Sequence, residues 1–295
     1  MSPKDLLLAL VVIVVWGMNF VVIKIGLEDI PPMLLGALRF MLAAFPAVFF
    51  IRRPQLPWRW LFAYGATISL GQFAFLFYAM KVGMPAGLAS LVLQSQAFFT
   101  VFFAALFLGE RMRATHLIGL LIAASGLVLI GLQSDRSMTL AGFVLTICAA
   151  SMWALGNIVT RKVGKVNLVG LVVWGSLVPP LPFLGLSLLL EGPVRIETAL
   201  RGVGVDSFLV LAYLAFGATI LGYGLWSRLL SRYPAGTVAP FSLLVPVVGL
   251  TSAALLLDEY LGPLQTCGAL LVMLGLVINV GGGWLIERMR IALGH

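Results

Sequence analysis

Residues 85–110, PAGLASLVLQSQAFFTVFFAALFLGE, and residues 234–259, PAGTVAPFSLLVPVVGLTSAALLLDE, are two versions of one stretch of sequence. Each begins with Pro-Ala-Gly, continues with an apolar run long enough for one membrane-spanning helix, and ends on a glutamate, Glu110 or Glu259. The two stretches align at a constant offset of 149 residues without a gap. The chain therefore contains at least one long repeat, and the repeat is apolar.

Other parts of the chain repeat as well, on both sides of this stretch. The further pairs are the block GATI at 65–68 and 217–220, Trp16 and Trp153, Asn19 and Asn157, Lys24 and Lys162, Gly119 and Gly268, and Gly126 and Gly275. Because the pairs run through most of the chain in the same order, we interpret it as two copies of one unit. We predict the bounds of the two units at residues 1–133 and 139–286.

The composition of the chain places both units in a membrane. Apolar residues make up 61% of the sequence and charged residues 10%, and the mean hydropathy is +1.09, far from a soluble domain. Long apolar runs without period-two alternation predict helices rather than a barrel. We expect an all-α integral membrane fold with ten transmembrane helices, near 6–23, 33–51, 60–80, 87–108, 114–132, 139–159, 168–190, 207–226, 238–257 and 263–286.

The distribution of basic residues predicts the orientation. Thirteen of the 19 Lys and Arg residues fall on cytoplasmic segments if the N-terminus is cytoplasmic, five fall on the opposite side, and Arg39 lies within a helix. We therefore predict that both termini are cytoplasmic. The scatter of these residues over many segments also explains the net charge of +8 without a nucleic-acid partner.

Five helices in each unit is an odd number, so the second unit must cross the membrane in the opposite direction to the first. Such inverted repeats are typical of transporters in which the substrate site lies near the middle of the membrane, between the halves. The two halves then exchange conformations to expose the site alternately to each side. The duplication therefore favours a transporter that works by alternating access.

Three stretches of the chain resemble a known family. WGMNFVVIKIGL (16–27), GMPAGLASLVLQSQAFFT (83–100) and APFSLLVPVVGLTSAALLLDE (239–259) are similar to EamA-type members of the drug/metabolite transporter superfamily, whose unit is a five-helix repeat present twice. Within that family they look most like bacterial exporters of O-acetylserine and cysteine. The resemblance implies a multi-pass protein of the bacterial inner membrane that exports small amino-acid-type metabolites. Export of other metabolites or drugs of the same superfamily is the alternative.

Polar side chains within apolar helices are costly and tend to face a cavity, so they are the candidate substrate-binding residues. The candidates are Asn19, Arg39, Gln72, Tyr78, Gln94, Asn157, Trp174, Tyr223 and Ser242. Gln94 and Gln96 are two positions apart, about 200° around an α-helix, so only one of them is expected to face the cavity. We choose Gln94.

Each candidate also has a structural interpretation. Arg39 fits a clamp for a substrate carboxylate, because a guanidinium binds a carboxylate with two parallel hydrogen bonds, or a structural charge that pairs with helix-end carbonyls or an acid. Asn19 and Asn157 can bind an amino-acid head group or join neighbouring helices. Glu110 and Glu259 fit helix-end contacts or a gate. The sequence leaves these alternatives open.

Several functions lack the residues that they need. No Walker A loop is present, which excludes ATP-driven transport by this chain alone, and no convergent catalytic set indicates an enzyme. His116 and Cys148 belong to no metal-ligand spacing, and we expect neither a metal nor a cofactor. The predicted partners are a small-molecule substrate and the lipid bilayer. Energy coupling, and the choice between a monomer and a weak dimer, stay open.

Overall fold

The computed structural model of the protein describes the backbone of residues 1–132, 138–164 and 166–292, and their side chains except at 235–236 and 282–292. This part of the chain is helical and contains no strand. Arg136 and Lys165, which contribute to the count of basic residues, lie outside the described residues.

The described residues contain ten helices that are long and apolar enough to cross a membrane, as the sequence predicts. They are α1 (Pro3–Asp29), α2 (Pro32–Phe50), α3 (Trp58–Lys81), α4 (Ala86–Leu108), α5 (Ala114–Leu132), α6 (Leu140–Val163), α7 (Leu168–Leu190), α8 (Val205–Arg232), α9 (Ala239–Leu257) and α10 (Pro263–Ala292). A short helix that the hydropathy does not predict, Pro193–Arg201, lies between α7 and α8.

Prolines and short polar side chains begin several of these helices. Pro3, Pro32 and Pro263 occupy first helical positions, where a missing N–H costs nothing. Ser2 caps α1 by accepting the N–H of Asp5 at 3.2 Å, and the Thr139 hydroxyl accepts the N–H of Gly142 at 3.0 Å to cap α6. The helix boundaries are thus encoded locally, which is why hydropathy and turn residues locate them.

The two units share the same departures from α-helical geometry. π-helical stretches run over Gly65–Gly71 in α3 and Tyr213–Leu221 in α8, and both contain the repeated GATI block. 3₁₀ turns run over Leu93–Ser95 in α4 and Ala239–Leu244 at the start of α9. Such irregular turns redirect side chains and free backbone groups, and they occur often at functional sites. Here all four border the interior of the bundle.

Helices α5 and α10 form a pair whose backbones touch at glycines. A Cβ atom added to Gly119 would lie 2.7 Å from the carbonyl oxygen of Gly275, and one added to Gly126 would lie 2.5 Å from that of Gly268. The 149-residue offset relates each of these glycines to one on the partner helix, so the contact has the two-fold character of the repeat. Small residues allow this approach because no side chain separates the backbones.

The other eight helices surround a central cavity, and the described side chains of α5 and α10 do not line it. At the end of the bundle where α1 begins, here called the N-terminal end, a second cavity of about 310 Å³ adjoins the central one and shares Gln94, Gln96, Asn157 and Ser242 with it. Access to the central cavity in this structure is therefore from the N-terminal end.

The opposite end, here called the far end, is closed by side chains that bind backbone atoms across the bundle. Glu191, after α7, accepts the N–H groups of Met33 (2.6 Å) and Leu34 (3.2 Å) in the first turn of α2. Lys81 donates to the carbonyl oxygen of Leu27 at 2.8 Å. A third cavity at this end shares no lining residue with the central one.

Candidate substrate-binding site

The central cavity has a volume of about 280 Å³ and lies between the two units. Seven of the predicted residues line it: Asn19, Arg39, Gln72, Gln94, Asn157, Tyr223 and Ser242. Two do not. Tyr78 is 44% exposed on the outside of α3, and the Trp174 indole donates to the carbonyl oxygen of Ile51 at 2.9 Å. The structure thus brings most of the candidates together and places Tyr78 and Trp174 elsewhere.

Arg39 is the charged group of this cavity. Its side chain is 2% exposed, and one terminal nitrogen, Nη2, donates to the Thr219 hydroxyl at 3.3 Å. The guanidinium carbon lies 4.1 Å from the centre of the Phe73 ring, in cation–π geometry. Nε and Nη1 have no hydrogen-bond partner, and no acid of the described chain pairs with the residue. The described structure therefore does not support the interpretation in which Arg39 pairs with a nearby acid.

The π-helical stretch of α8 positions Thr219, the one hydrogen-bond acceptor that Arg39 has in the described part of the chain. The Thr219 hydroxyl donates to the carbonyl oxygen of Leu214, five residues earlier, at 2.8 Å. Its oxygen therefore remains available as an acceptor for the guanidinium. A buried guanidinium with two unused N–H directions is a strong binding element for a planar anion such as a carboxylate.

The two asparagines related by the repeat are in different situations. Asn157 donates its Nδ2 to Gln96 Oε1 at 2.9 Å and to the Thr100 hydroxyl at 3.0 Å, so it joins α6 to α4. Asn19 is buried, and its Oδ1 has no hydrogen-bond partner within the part of the chain that the structure describes. The helix-joining interpretation thus describes Asn157, whereas Asn19 presents an unused acceptor.

The expectation that only one of the two glutamines faces the cavity is wrong, because both line it. The 3₁₀ turn at Leu93–Ser95 has about three residues per turn, which brings positions two apart closer together around the axis than an α-helix does. Gln94 donates its Nε2 to the carbonyl oxygen of Ser242 at 3.2 Å. Sequence reasoning missed Gln96 because this turn has no local signature.

Aromatic rings form one wall of the cavity. The Trp16 ring centre lies 5.2 Å from that of Tyr223 and 5.4 Å from that of Trp226, and its indole donates to the carbonyl oxygen of Ala218 at 3.0 Å. Trp16 is not among the predicted residues. The signal that identifies it is its repeat partner, Trp153, which also lines the cavity.

The fold and the cavity define a class: a helical membrane protein with ten membrane-spanning helices and a central cavity that is lined by residues from both halves of the sequence. The chain belongs to the EamA-like transporter family, whose sequence pattern matches residues 4–132 and again residues 140–281. The family match agrees with the resemblance found in the sequence.

Individual relatives are similar over almost the whole chain. A protein of Salmonella typhimurium (strain LT2) named "Probable amino-acid metabolite efflux pump" is 55% identical over 288 residues, which is 96% of each chain. A protein of Escherichia coli (strain K12) with the same name is 52% identical over the same shares. A crystal structure with 20% sequence identity superposes with a TM-score of 0.64 over 94% of this chain and 96% of the other, which supports the fold alone.

Proposed function

We propose that the protein is a secondary transporter that exports small amino-acid-type metabolites, O-acetylserine and cysteine among them, across the bacterial inner membrane by alternating access. The names of the two relatives support the general substrate class. The resemblance to O-acetylserine and cysteine exporters supports the two compounds. The two units, 1–133 and 139–286, act in this proposal as the halves that exchange conformations.

The single observation that carries the proposal is the unpaired guanidinium of Arg39 in the central cavity. A buried charge is costly unless it is paired, and no acid of the described chain pairs with this one. The carboxylate of an amino acid supplies the missing partner. The cavity of about 280 Å³ lies at the small end of ligand pockets, which suits a metabolite of this size.

The two ends of the bundle support alternating access. The central cavity adjoins the second cavity at the N-terminal end, while Glu191 and Lys81 close the far end. If the N-terminus is cytoplasmic, as the count of basic residues predicts, this is the conformation that takes up substrate from the cytoplasm. Exchange of the conformations of the two halves then opens the far end and releases it outside.

The first prediction tests transport itself. Inverted membrane vesicles that contain the protein should accumulate labelled cysteine or O-acetylserine faster than vesicles that contain Arg39→Ala in the same amount. Excess unlabelled cysteine or O-acetylserine should compete. Accumulation of apolar drugs, with neither amino acid accumulated nor competing, would replace this proposal by the drug-export alternative.

A further inference from the structure

We infer that Asn19 and Gln72 bind the ammonium group of the substrate, so that the site selects α-amino acids over the corresponding carboxylic acids. This inference rests on the proposed function. It adds a site for the ammonium group of the substrate to the carboxylate site that Arg39 provides. Asn19 lies on α1 and Gln72 on α3, and both line the central cavity together with Arg39.

The evidence is a pair of unused acceptors. Asn19 Oδ1 and Gln72 Oε1 are buried oxygen atoms that have no hydrogen-bond partner among the described residues, and these two residues are 7% and 3% exposed. A buried polar atom without a partner costs about 1–3 kcal/mol, so the pair calls for a ligand that donates hydrogen bonds. An ammonium group donates three of them.

The Ser90 and Ser242 hydroxyls and the Gln96 side-chain oxygen also line the cavity, and all three already form hydrogen bonds within the protein. The Ser90 hydroxyl donates to the carbonyl oxygen of Gly87 at 2.7 Å, and the Ser242 hydroxyl donates to that of Ala239 at 2.7 Å. Gln96 Oε1 accepts from Asn157. The described lining of the cavity includes no Asp or Glu. Neutral amide oxygens are therefore the acceptors that remain for a cation, and they bind it without neutralising Arg39.

The cavity lining thus includes unpaired N–H donors of Arg39 on α2. It also includes the unpaired amide oxygens of Asn19 on α1 and Gln72 on α3. A zwitterionic head group satisfies both sets at once, with its carboxylate on Arg39 and its ammonium on the two amides. A carboxylic acid without the amino group leaves both amide oxygens unsatisfied. Sites built on buried hydrogen-bonding groups reject a ligand that lacks the matching group more strongly than apolar sites reject an extra methylene.

The test compares cysteine with 3-mercaptopropionate, which is cysteine without the amino group, as competitors of labelled O-acetylserine in vesicles. Asn19→Leu and Gln72→Met remove an acceptor at similar volume. Each should weaken competition by cysteine about tenfold and leave competition by 3-mercaptopropionate unchanged. Asn157→Leu and Gln94→Met are the matched controls, since the side-chain NH2 groups of these two amides already donate hydrogen bonds within the protein, and they should shift both competitors by the same factor.

The outcomes separate this inference from the proposed function. If the wild-type protein transports neither cysteine nor O-acetylserine, the proposed function fails. If it transports them but Asn19→Leu and Gln72→Met shift both competitors equally, the ammonium site is overturned and the export function stands. The ratio of the two competitors is independent of how much folded protein the vesicles contain.

A different observation carries a second proposal: Glu110 and Glu259 exchange partners when the protein changes conformation. The two residues occupy equivalent places, each just after the last turn of its helix. The preceding residues, Gly109 and Asp258, are left-handed, with φ values of 68° and 54°. The N–H of Glu110 donates to Ala104 at 3.3 Å, and that of Glu259 donates to the equivalent Ala253 at 3.2 Å.

Their side chains nevertheless have different partners. At the closed far end, Glu259 Oε2 accepts the backbone N–H of Gly87 in the first turn of α4, at 3.0 Å. At the accessible N-terminal end, Glu110 instead forms an ion pair with Arg161 at 2.8 Å. The repeat partner of Gly87 is Gly236, in the helical turn Ala235–Val238 before α9.

Because inverted halves exchange conformations, the contact of Glu259 in this structure describes the contact of Glu110 in the other state. Glu110 then leaves Arg161 and accepts the N–H of Gly236, which closes the N-terminal end. Glu259 leaves Gly87, and Lys24, which lines the same third cavity, replaces Gly87 as its partner. Each glutamate caps a helix when its end is closed and forms an ion pair when its end is open.

Single-cysteine labelling tests this exchange in protein whose Cys148 and Cys267 are replaced by serine. Leu88→Cys reports on the third cavity at the far end, and Thr100→Cys reports on the second cavity at the N-terminal end. Glu259→Ala should raise labelling at Leu88→Cys and lower it at Thr100→Cys, each several-fold, because the cap lost from the closed far end contributes more than the exposed ion pair lost from the open one. Glu110→Ala should do the reverse.

Two further variants guard against a folding defect as the cause. Arg161→Ala frees Glu110 to accept the N–H of Gly236, so it should change labelling in the same direction as Glu259→Ala. The double variant Glu110→Ala with Glu259→Ala should return toward the wild-type ratio, because its effects oppose each other. Equal changes of both glutamate variants in one direction, or no change in either, would overturn the exchange.

Discussion

Arg39 is the one charged side chain in the described lining of the central cavity. Among the described residues only Thr219 accepts a hydrogen bond from it, and the ring of Phe73 covers one face of the guanidinium. A lysine at this position keeps the charge, yet an ammonium cannot reproduce the planar pair of N–H donors that a carboxylate binds. The shape of the group, beyond its charge, is what the substrate recognises in our proposal.

The second prediction follows from that shape. Arg39→Lys should lower transport of cysteine about tenfold or more while protein amount in the membrane stays near wild type. Cysteamine, which is cysteine without the carboxylate, should compete equally with wild type and variant. The measurement is competition in vesicles, normalised to folded protein.

A structural role for Arg39 makes a different prediction. Arg39→Lys would then leave the preference for cysteine over cysteamine unchanged, and losses in Arg39→Ala would follow the amount of folded protein. Unchanged normalised transport in Arg39→Ala would exclude the carboxylate clamp.

For individual residues, the sequence predicts which polar side chains line the cavity better than it predicts their hydrogen-bond partners. The cost of polar atoms in a membrane was enough to select Asn19, Gln72 and Arg39. It could not separate Asn19 from Asn157, because the difference depends on whether Gln96 of another helix lies opposite. Trp174 was selected for a polar atom that in fact satisfies a carbonyl group near the end of α2.

Among the elements, the pair α5 and α10 differs from the rest because its contact is made by backbone. The carbonyl oxygens of Gly268 and Gly275 lie where side chains at Gly126 and Gly119 would have to be. By contrast, Gly185 in α7 has nothing within 4 Å of a Cβ position. The chain therefore contains a matched pair of sites for the same substitution.

The third prediction uses that pair. Gly126→Ala places a methyl group 2.5 Å from the carbonyl oxygen of Gly268, so the helices must separate, at a cost of about 1–3 kcal/mol. It should lower the thermal unfolding temperature of the purified protein by several degrees. Gly185→Ala should leave it unchanged or raise it slightly, since alanine favours a helix. Equal shifts in the two variants would show that the glycine contact does not support the fold.

The helices themselves were predictable, and their irregular turns were not. The lengths of the apolar runs, and the prolines at the first positions of α1, α2 and α10, indicate where the helices begin and end. The π-helical stretches at Gly65–Gly71 and Tyr213–Leu221 have no such signal, because the GATI block is compatible with a regular helix. Packing between helices selects the wider turn, and packing is not visible along a single chain.

For the whole molecule, the orientation in the membrane rests on the basic residues. The fourth prediction is that reporter fusions after Arg53 and Gly164 give cytoplasmic signals, whereas fusions after Thr139 and Arg201 give periplasmic ones. Reversal at all four sites would invert the protein in the membrane. Reversal at two of them would contradict the inverted arrangement of the units.

The repeat makes the architecture predictable from the sequence. The sequence does not predict which end of the bundle is closed. In our proposal the two inverted copies adopt two related conformations, one open at each end, and the same residues serve both. Which end is closed is decided by small differences between the copies. Glu259 at Gly87 and Glu110 at Arg161 are such a difference, and only the folded chain displays it.

The closure of the far end has a consequence for how the sequence tolerates change. Lys81 binds the carbonyl oxygen of Leu27, Lys24 binds that of Met80, and the Thr139 hydroxyl binds that of Val82. A backbone acceptor is the same whatever side chain it carries. In a saturation mutagenesis screen for export, Leu27, Met80 and Val82 should therefore tolerate any side chain that packs. The donor positions should tolerate few substitutions. Sequence variation at the far end should therefore be concentrated at the residues whose carbonyl oxygens accept these hydrogen bonds. It should be rare at the residues whose side chains donate them.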